Sequence, residues 1–129
     1  MSLQNKKILL IIGGGISAYK SLDLIRLLQR RKSSVKVVLT KSGKKFVTPL
    51  SVSSLLKNKV FEEMFEDNNK GKIDHIALSR WADLVLVLPA TANFMSKLSR
   101  GSADDLASTI ALASNREIFL APAMNVRMW

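Results

Sequence analysis

Gly13-Gly14-Gly15 follows directly on an unbroken apolar run, Ile8 to Ile12. Glycines at such a point let the backbone approach a ligand closely, and a helix opening just behind them turns free N–H groups toward an anion. Ser17 adds a hydroxyl. Read literally, Gly13, Gly15 and Ala18 satisfy the nucleotide-binding spacing G-x-G-x-x-A. That spacing also calls for an acidic residue after the second strand to hold a ribose diol, and Thr40-Lys41-Ser42 stands there instead. Two hydroxyls and a positive charge suit a phosphate, so a mononucleotide such as FMN fits better than NAD. A tight strand-to-helix turn, with no ligand at all, would require the same glycines.

His75 is the only histidine, and a neutral imidazole can accept a proton near pH 7. A lone histidine serves equally as a structural or exposed residue. Pro89-Ala90-Thr91-Ala92-Asn93 leaves a buried strand with small residues that would let a flat ring approach. Asn93 can both donate and accept hydrogen bonds, while Thr91 is an ordinary helix cap. Pro122-Ala123-Met124-Asn125 repeats that logic, with Asn125 suited to donate to a carboxylate, or else forms a plain loop. Trp81 and Trp129 read as core or interface residues.

These clusters need elements to position them. Ile8–Ile12, Val35–Leu39, Leu84–Leu88 and Ile118–Leu120 read as strands, with Pro89 ending the third. Helical spacing runs from Ser17 to Arg31 through Ala18, Leu22, Ile25 and Leu28, with Leu24 and Leu27 widening the stripe. Ser33-Ser34 reads as a turn. Further helical stretches are a short one over 40–46, then Ser51–Leu56, Ala92–Leu98 and Ala103–Ala113, the last with Asp104 and Asp105 near its start. Asp67-Asn68-Asn69-Lys70-Gly71 reads as a mobile loop. Strands alternating with helices imply an α/β fold with a mainly parallel sheet, whose ligands sit at the carboxyl ends of the strands. The glycines, Thr40–Ser42, Pro89–Asn93 and Pro122–Trp129 all fall at such ends.

The 129 residues make one domain. With 47% hydrophobic and 23% charged residues, the composition is that of a globular chain. The absence of cysteine excludes a disulfide scaffold, a thiolate metal site and a cysteine nucleophile in this chain, and with one histidine no metal centre is expected. The apolar start is too short for a signal peptide, and no run approaches the roughly 20 residues of a membrane span. A cytoplasmic protein is expected. Twenty basic against ten acidic residues give a net charge of +10. The basic residues are scattered, which fits a solvated surface that attracts phosphorylated small molecules better than it fits a nucleic-acid face.

Gly14-Gly15-Ile16-Ser17-Ala18-Tyr19-Lys20, His75, Pro89–Asn93, Gly101-Ser102-Ala103-Asp104-Asp105-Leu106 and Pro122–Trp129 together resemble the homo-oligomeric flavin-containing cysteine decarboxylases, above all the flavoprotein domain of the bacterial phosphopantothenoylcysteine decarboxylases. The likeness spans nearly the whole chain, with five motifs in order. It implies a Rossmann-like (flavodoxin-like) parallel sheet sandwiched between helices, FMN as cofactor, and assembly into trimers or multiples of trimers whose active sites draw on neighbouring chains. By the same resemblance, Gly15 and Ser17 would meet the FMN phosphate, with Thr40 or Ser42 bonding there too. Phe46 would pack near the isoalloxazine. Ala90, Thr91, Ala92 and Asn93 would line the flavin, and Ala103 to Leu106 would support that pocket. His75 would be the catalytic base, and Asn125, with Met124 beside it, would hold the substrate carboxylate.

The implied reaction converts 4′-phosphopantothenoylcysteine to 4′-phosphopantetheine in coenzyme A synthesis: oxidation of the cysteinyl moiety, loss of CO₂, then reduction of the enethiol. A phosphorylated substrate accords with the basic surface. The family continues past the Pro122–Trp129 motif into a flap that usually carries a cysteine, and is commonly fused to a phosphopantothenate–cysteine ligase domain. Residues 1–129 are therefore expected to be a single FMN-binding domain, incomplete at the C-terminus. Some relatives have Thr where this chain has Phe94. A flavin-binding regulatory relative without catalysis and a flavin prenyltransferase-like protein are the alternatives.

Overall fold

The apolar run before the glycines is a central strand. β1 (Lys7–Ile12) is buried from Ile8 onward. Leu9 and Ile11 face one layer of helices, and Leu10 and Ile12 face the other. A strand covered on both faces has no polar side, which is why its sequence is continuously apolar. The computed structural model describes residues 2–62 and 70–129, and of residues 70–74 the backbone alone.

β1 lies between β2 (Ser34–Leu39) and β3 (Leu84–Ala90), and β3 is flanked in turn by β4 (Ile118–Pro122). All pairings are parallel and the order is β2-β1-β3-β4. On one face, α1 (Lys20–Arg30) and α2 (Pro49–Leu56) bring Ile25 and Val52 onto Leu10, Ile12, Val37 and Leu39. On the other, α3 (Lys70–Trp81), α4 (Ala92–Arg100) and α5 (Leu106–Ala113) bring Leu78, Phe94, Leu106 and Ile110 onto Leu9, Ile11, Val85 and Val87. This is the Rossmann-like sandwich expected from the alternation of strands and helices.

The order of the strands matters for the site. From β1 the chain goes first to β2 on one side and later to β3 on the other. The carboxyl ends of β1 and β3 therefore diverge at a topological switch point, where open parallel sheets form a ligand crevice. At their opposite ends the same two strands are tied together. The Lys7 N–H donates to Asp83 Oδ2 (2.8 Å), and the Asp83 N–H donates to the Lys7 carbonyl (2.7 Å).

Several boundaries differ from the sequence reading. The first helical segment opens with a 3₁₀ turn, Ile16–Tyr19, before α1 begins, and Leu27 is 45% exposed and does not widen the buried stripe. Ser34 belongs to β2. Residues 40–46 contain only a 3₁₀ turn, Gly43–Lys45. Pro89 does not end β3: the strand runs on to Ala90, and the β3–β4 register shifts between Val87 and Ala90, where an imino residue is tolerated. α2 starts at Pro49, capped by Thr48 Oγ1, which accepts from the Ser51 N–H (3.0 Å). α5 starts at Leu106, not Ala103, because Asp105 is its N-cap: Oδ1 accepts from the Ser108 N–H (2.8 Å), and the Ser108 hydroxyl accepts from the Asp105 N–H. Residues 67–69 of the expected loop lie outside the described residues, and Lys70 and Gly71 already belong to α3.

Candidate functional site

Two adjoining cavities occupy the crevice at the switch point. The larger, about 690 Å³, is lined by Gly14, Gly15, Ile16 and Ser17 after β1, by Thr91, Ala92 and Asn93 after β3, and by Ala123, Met124, Asn125 and Met128 after β4. The smaller, about 360 Å³, shares Gly14, Thr91 and Asn93 and extends to Thr40, Lys41 and Ser42 after β2 and to Lys97, Asp104 and Asp105. Each is within the roughly 300–1,000 Å³ typical of small-molecule sites. All four strand ends converge here.

The glycines are needed for this convergence. A Cβ on Gly13 would stand 2.5 Å from the Pro89 carbonyl oxygen, and one on Gly14 would run into Ser42. The turn after β1 is thus pressed against the segments after β3 and β2. Gly15 is different: its backbone is extended, with φ 174°, and a Cβ there would meet only Pro89 Cγ at 3.6 Å. Ser17 Oγ is buried without a hydrogen-bond partner among the described residues. A buried hydroxyl on a cavity wall normally has a partner, so this atom is suited to a ligand.

On the opposite wall, Thr91 caps α4, its Oγ1 accepting from the Phe94 N–H (3.1 Å). The cap fixes the entry of the helix, which leaves Asn93 exposed on the cavity. Thr40 is held in a similar way. Its hydroxyl donates to the Ile12 carbonyl (3.1 Å) and accepts from the Gly43 N–H (3.0 Å), so it fastens the turn after β2 to the end of β1. Ser42, exposed on the same cavity, is the freer hydroxyl of the two. Asn125 Oδ1 accepts from the Arg127 N–H (2.9 Å), opening a 3₁₀ turn, Val126–Met128. That bond uses the carbonyl end of the amide and leaves its NH₂ as the end that can donate to a ligand.

Four expected residues stand elsewhere. Phe46 is 47% exposed after the Gly43–Lys45 turn and lines neither cavity. Ala90 is fully buried in the core, with its carbonyl accepting from the Ala123 N–H (3.3 Å); it braces the Ala123 wall from beneath. Ala103 is exposed and lines neither cavity; its neighbours Asp104 and Asp105 do. His75 lies on α3, which packs on α5. Its Nδ1 is buried without a partner among the described residues, and it lines neither cavity. Trp81 packs on the core, with Lys36 Nζ 4.6 Å from its ring centroid, whereas Trp129 is 81% exposed.

Lys97 is the residue that the sequence reading missed. It follows Asn93 by one helical turn, which places both on the same face of α4. Its side chain is only 16% exposed, and Nζ lies 3.0 Å from Asp104 Oδ1 and 3.4 Å from Asp105 Oδ2. Burial works against the ammonium, but hydrogen bonding and charge from the two carboxylates outweigh it and hold Lys97 above the usual lysine value. The Asp104 carboxyl is held below the usual range, chiefly by the hydrogen bond from Lys97. The lowered carboxyl favours the cluster above the ordinary carboxylate value and is lost as pH falls through its own. The raised amine favours it below the ordinary lysine value and is lost as pH rises through its own. Lys97 and Asp104 are therefore both charged across the neutral range.

A family model described as Flavoprotein matches residues 1–129. The chain is 45% identical over 129 residues to the coenzyme A biosynthesis bifunctional protein CoaBC of Haemophilus influenzae, covering 100% of this chain and 32% of that protein. It spans about a third of the length of the curated relatives it matches. In three dimensions it is similar to the FMN-dependent cysteine decarboxylase SpaF, with TM-score 0.87 and 28% identity over 100% of this chain and 74% of that one. It is likewise similar to a PPC decarboxylase mutant complexed with pantothenoylaminoethenethiol, with TM-score 0.82 and 30% identity over 98% and 71% of the two chains.

Proposed function

Because the chain belongs to the Flavoprotein family, we propose that it binds FMN in the switch-point crevice and takes part in the oxidative decarboxylation of 4′-phosphopantothenoylcysteine to 4′-phosphopantetheine. The observation that carries the FMN reading is the orphaned Ser17 hydroxyl, buried in a cavity whose floor is two glycines. A phosphate supplies acceptor oxygens for that hydroxyl, and the open walls at Ala92 and Ala123 leave room for a flat ring. The similarity to a decarboxylase of this chemistry supports the choice of substrate.

Bound FMN supplies a two-electron oxidation and its reversal. The protein's own residues do the remaining work. Gly14, Gly15 and Ser17 hold the phosphate, with Ser42 across the crevice. Thr91, Ala92 and Asn93 line the ring. The Asn125 NH₂ donates to the substrate carboxylate, and Met124 beside it excludes water. His75 would accept the proton that the cysteinyl thiol gives up as this moiety is oxidised. Since His75 lines neither cavity of its own chain, it would serve the site of a neighbouring copy. Ile16 (80% exposed), Val126, Met128 and Trp129 around the crevice give such a homo-oligomer, a trimer or a multiple of trimers, an apolar surface to cover. We place the protein in the cytoplasm, where it would work beside a phosphopantothenate–cysteine ligase domain.

Purified protein mixed with FMN and passed through a desalting column should emerge yellow. It should then release CO₂ from 4′-phosphopantothenoylcysteine but not from its S-methyl thioether, which keeps the carboxylate and cannot be oxidised to a thioaldehyde. A colourless eluate would dismiss FMN. A yellow protein that releases no CO₂ in any assembly state would dismiss the decarboxylase reading alone.

A further inference from the structure

The smaller cavity opens beside the one in which Ser17 would hold the phosphate, sharing Gly14, Thr91 and Asn93 with it, and its charges pose an electrostatic difficulty for a phosphorylated ligand there. Asp104 and Asp105 both line it, facing the turn that carries Thr40, Lys41 and Ser42. Two carboxylates on one wall repel an anion whose own charge is about −1.5 to −2 at neutral pH. Asp105 cannot simply be dispensed with, because its Oδ1 caps α5. Lys97 answers both carboxylates at once, at 3.0 and 3.4 Å, from a side chain that is 16% exposed. The ammonium is sheltered but Asp104 is 63% exposed, so the net charge of this wall acts on the cavity partly through water and is weakened by salt.

We propose that Lys97 is the charge-balancing residue of this cavity: its ammonium offsets Asp104 and Asp105, so that the crevice admits the phosphate end of FMN. This rests on the FMN reading above and adds to it a residue that positions charge without touching the reacting atoms. The cost of losing Lys97 should fall on the phosphate and not on the ring. Riboflavin, which has the same ring and ribityl chain but no phosphate, is therefore the internal control.

The experiment is flavin-fluorescence titration of the parent, Lys97→Met, Lys97→Arg, Asp104→Asn and the double variant Lys97→Met/Asp104→Asn with FMN and with riboflavin, at low and high salt. Lys97→Met should weaken FMN about tenfold and riboflavin less than about threefold, with the gap narrowing in high salt. Lys97→Arg should restore FMN. The double variant has the parent's net charge at this wall and should recover most of the discrimination. Asp104→Asn alone, at a residue whose side chain is 63% exposed and whose loss the fold should tolerate, should tighten FMN but not riboflavin. That variant keeps the test decisive should Lys97→Met fail to fold. Parallel losses for the two flavins, or an Asp104→Asn variant that leaves their ratio unchanged, would overturn the charge-balancing role. A parent that binds neither flavin would overturn the FMN reading and this inference with it.

Discussion

Gly13→Ala is expected to melt about 10 °C below the parent, although it adds a single methyl group. The new Cβ would stand 2.5 Å from the Pro89 carbonyl oxygen, which is backbone and cannot rotate away. Relief requires the ends of β1 and β3 to separate, and this spreads into the core, because Ile11 and Val87 are paired neighbours on those strands and fully buried. Overpacking of this kind costs about 3 kcal/mol. Gly15→Ala is the matched comparison. Its Cβ meets only Pro89 Cγ at 3.6 Å and its backbone is extended, so its stability should stay within about 1 kcal/mol of the parent. Thermal melts followed by circular dichroism distinguish the two. Equal melting temperatures would mean that the close approach of the two turns contributes nothing to the fold.

His75→Asn is expected to retain FMN at parental affinity and to release CO₂ at least about a hundredfold more slowly. A general base contributes roughly 10²–10⁴-fold, and an amide cannot accept a proton near neutral pH. Retention of the flavin is expected because His75 lines neither cavity of its own chain. The two readouts, flavin absorbance and CO₂ release, separate a proton-transfer role from a packing role on α3, since a packing defect would lower thermal stability as well. Full activity in the variant would remove His75 from the mechanism.

The fold was legible because its central strands, β1 and β3, are covered on both faces. Continuous apolar runs such as Ile8–Ile12 have few alternatives in a chain of this length, and punctuation by glycine and proline set their ends to within a residue or two. Helix starts were less legible. Asp105 carries the same sequence signal whether it caps α5 or lies inside it, and only the hydrogen bonds with Ser108 separate the two. Pro89 misled for a related reason: a proline ends a strand unless the ladder beside it is already irregular, and irregular pairing is a property of two strands together.

The site was legible where it depends on chain order and obscure where it depends on side-chain contact. Strands alternating with helices put every strand's carboxyl end on one edge of the sheet, and with it came the meeting of Gly14, Ser17, Thr91, Asn93 and Asn125, although the strand order that makes a switch point there did not show in the sequence. The diversion of the Thr40 hydroxyl into its own turn was not readable. Neither was the partnership of Lys97 with two aspartates seven and eight residues later, in another element. Its one signal was the four-residue spacing from Asn93, which on a surface helix is too common to single out.

β4 occupies one margin of the sheet, and among the described residues it pairs only with β3. Phe119 and Leu120 stand 49% and 40% exposed on it. A bare margin of this kind offers peptide groups and apolar side chains to any similar strand, which is how folded chains begin to aggregate. The net charge of +10 opposes this by keeping molecules apart. The two effects respond oppositely to dissolved ions, so the colloidal behaviour of the isolated chain is governed by buffer composition: dilute electrolyte keeps it dispersed, and concentrated sulfate drives it toward precipitation.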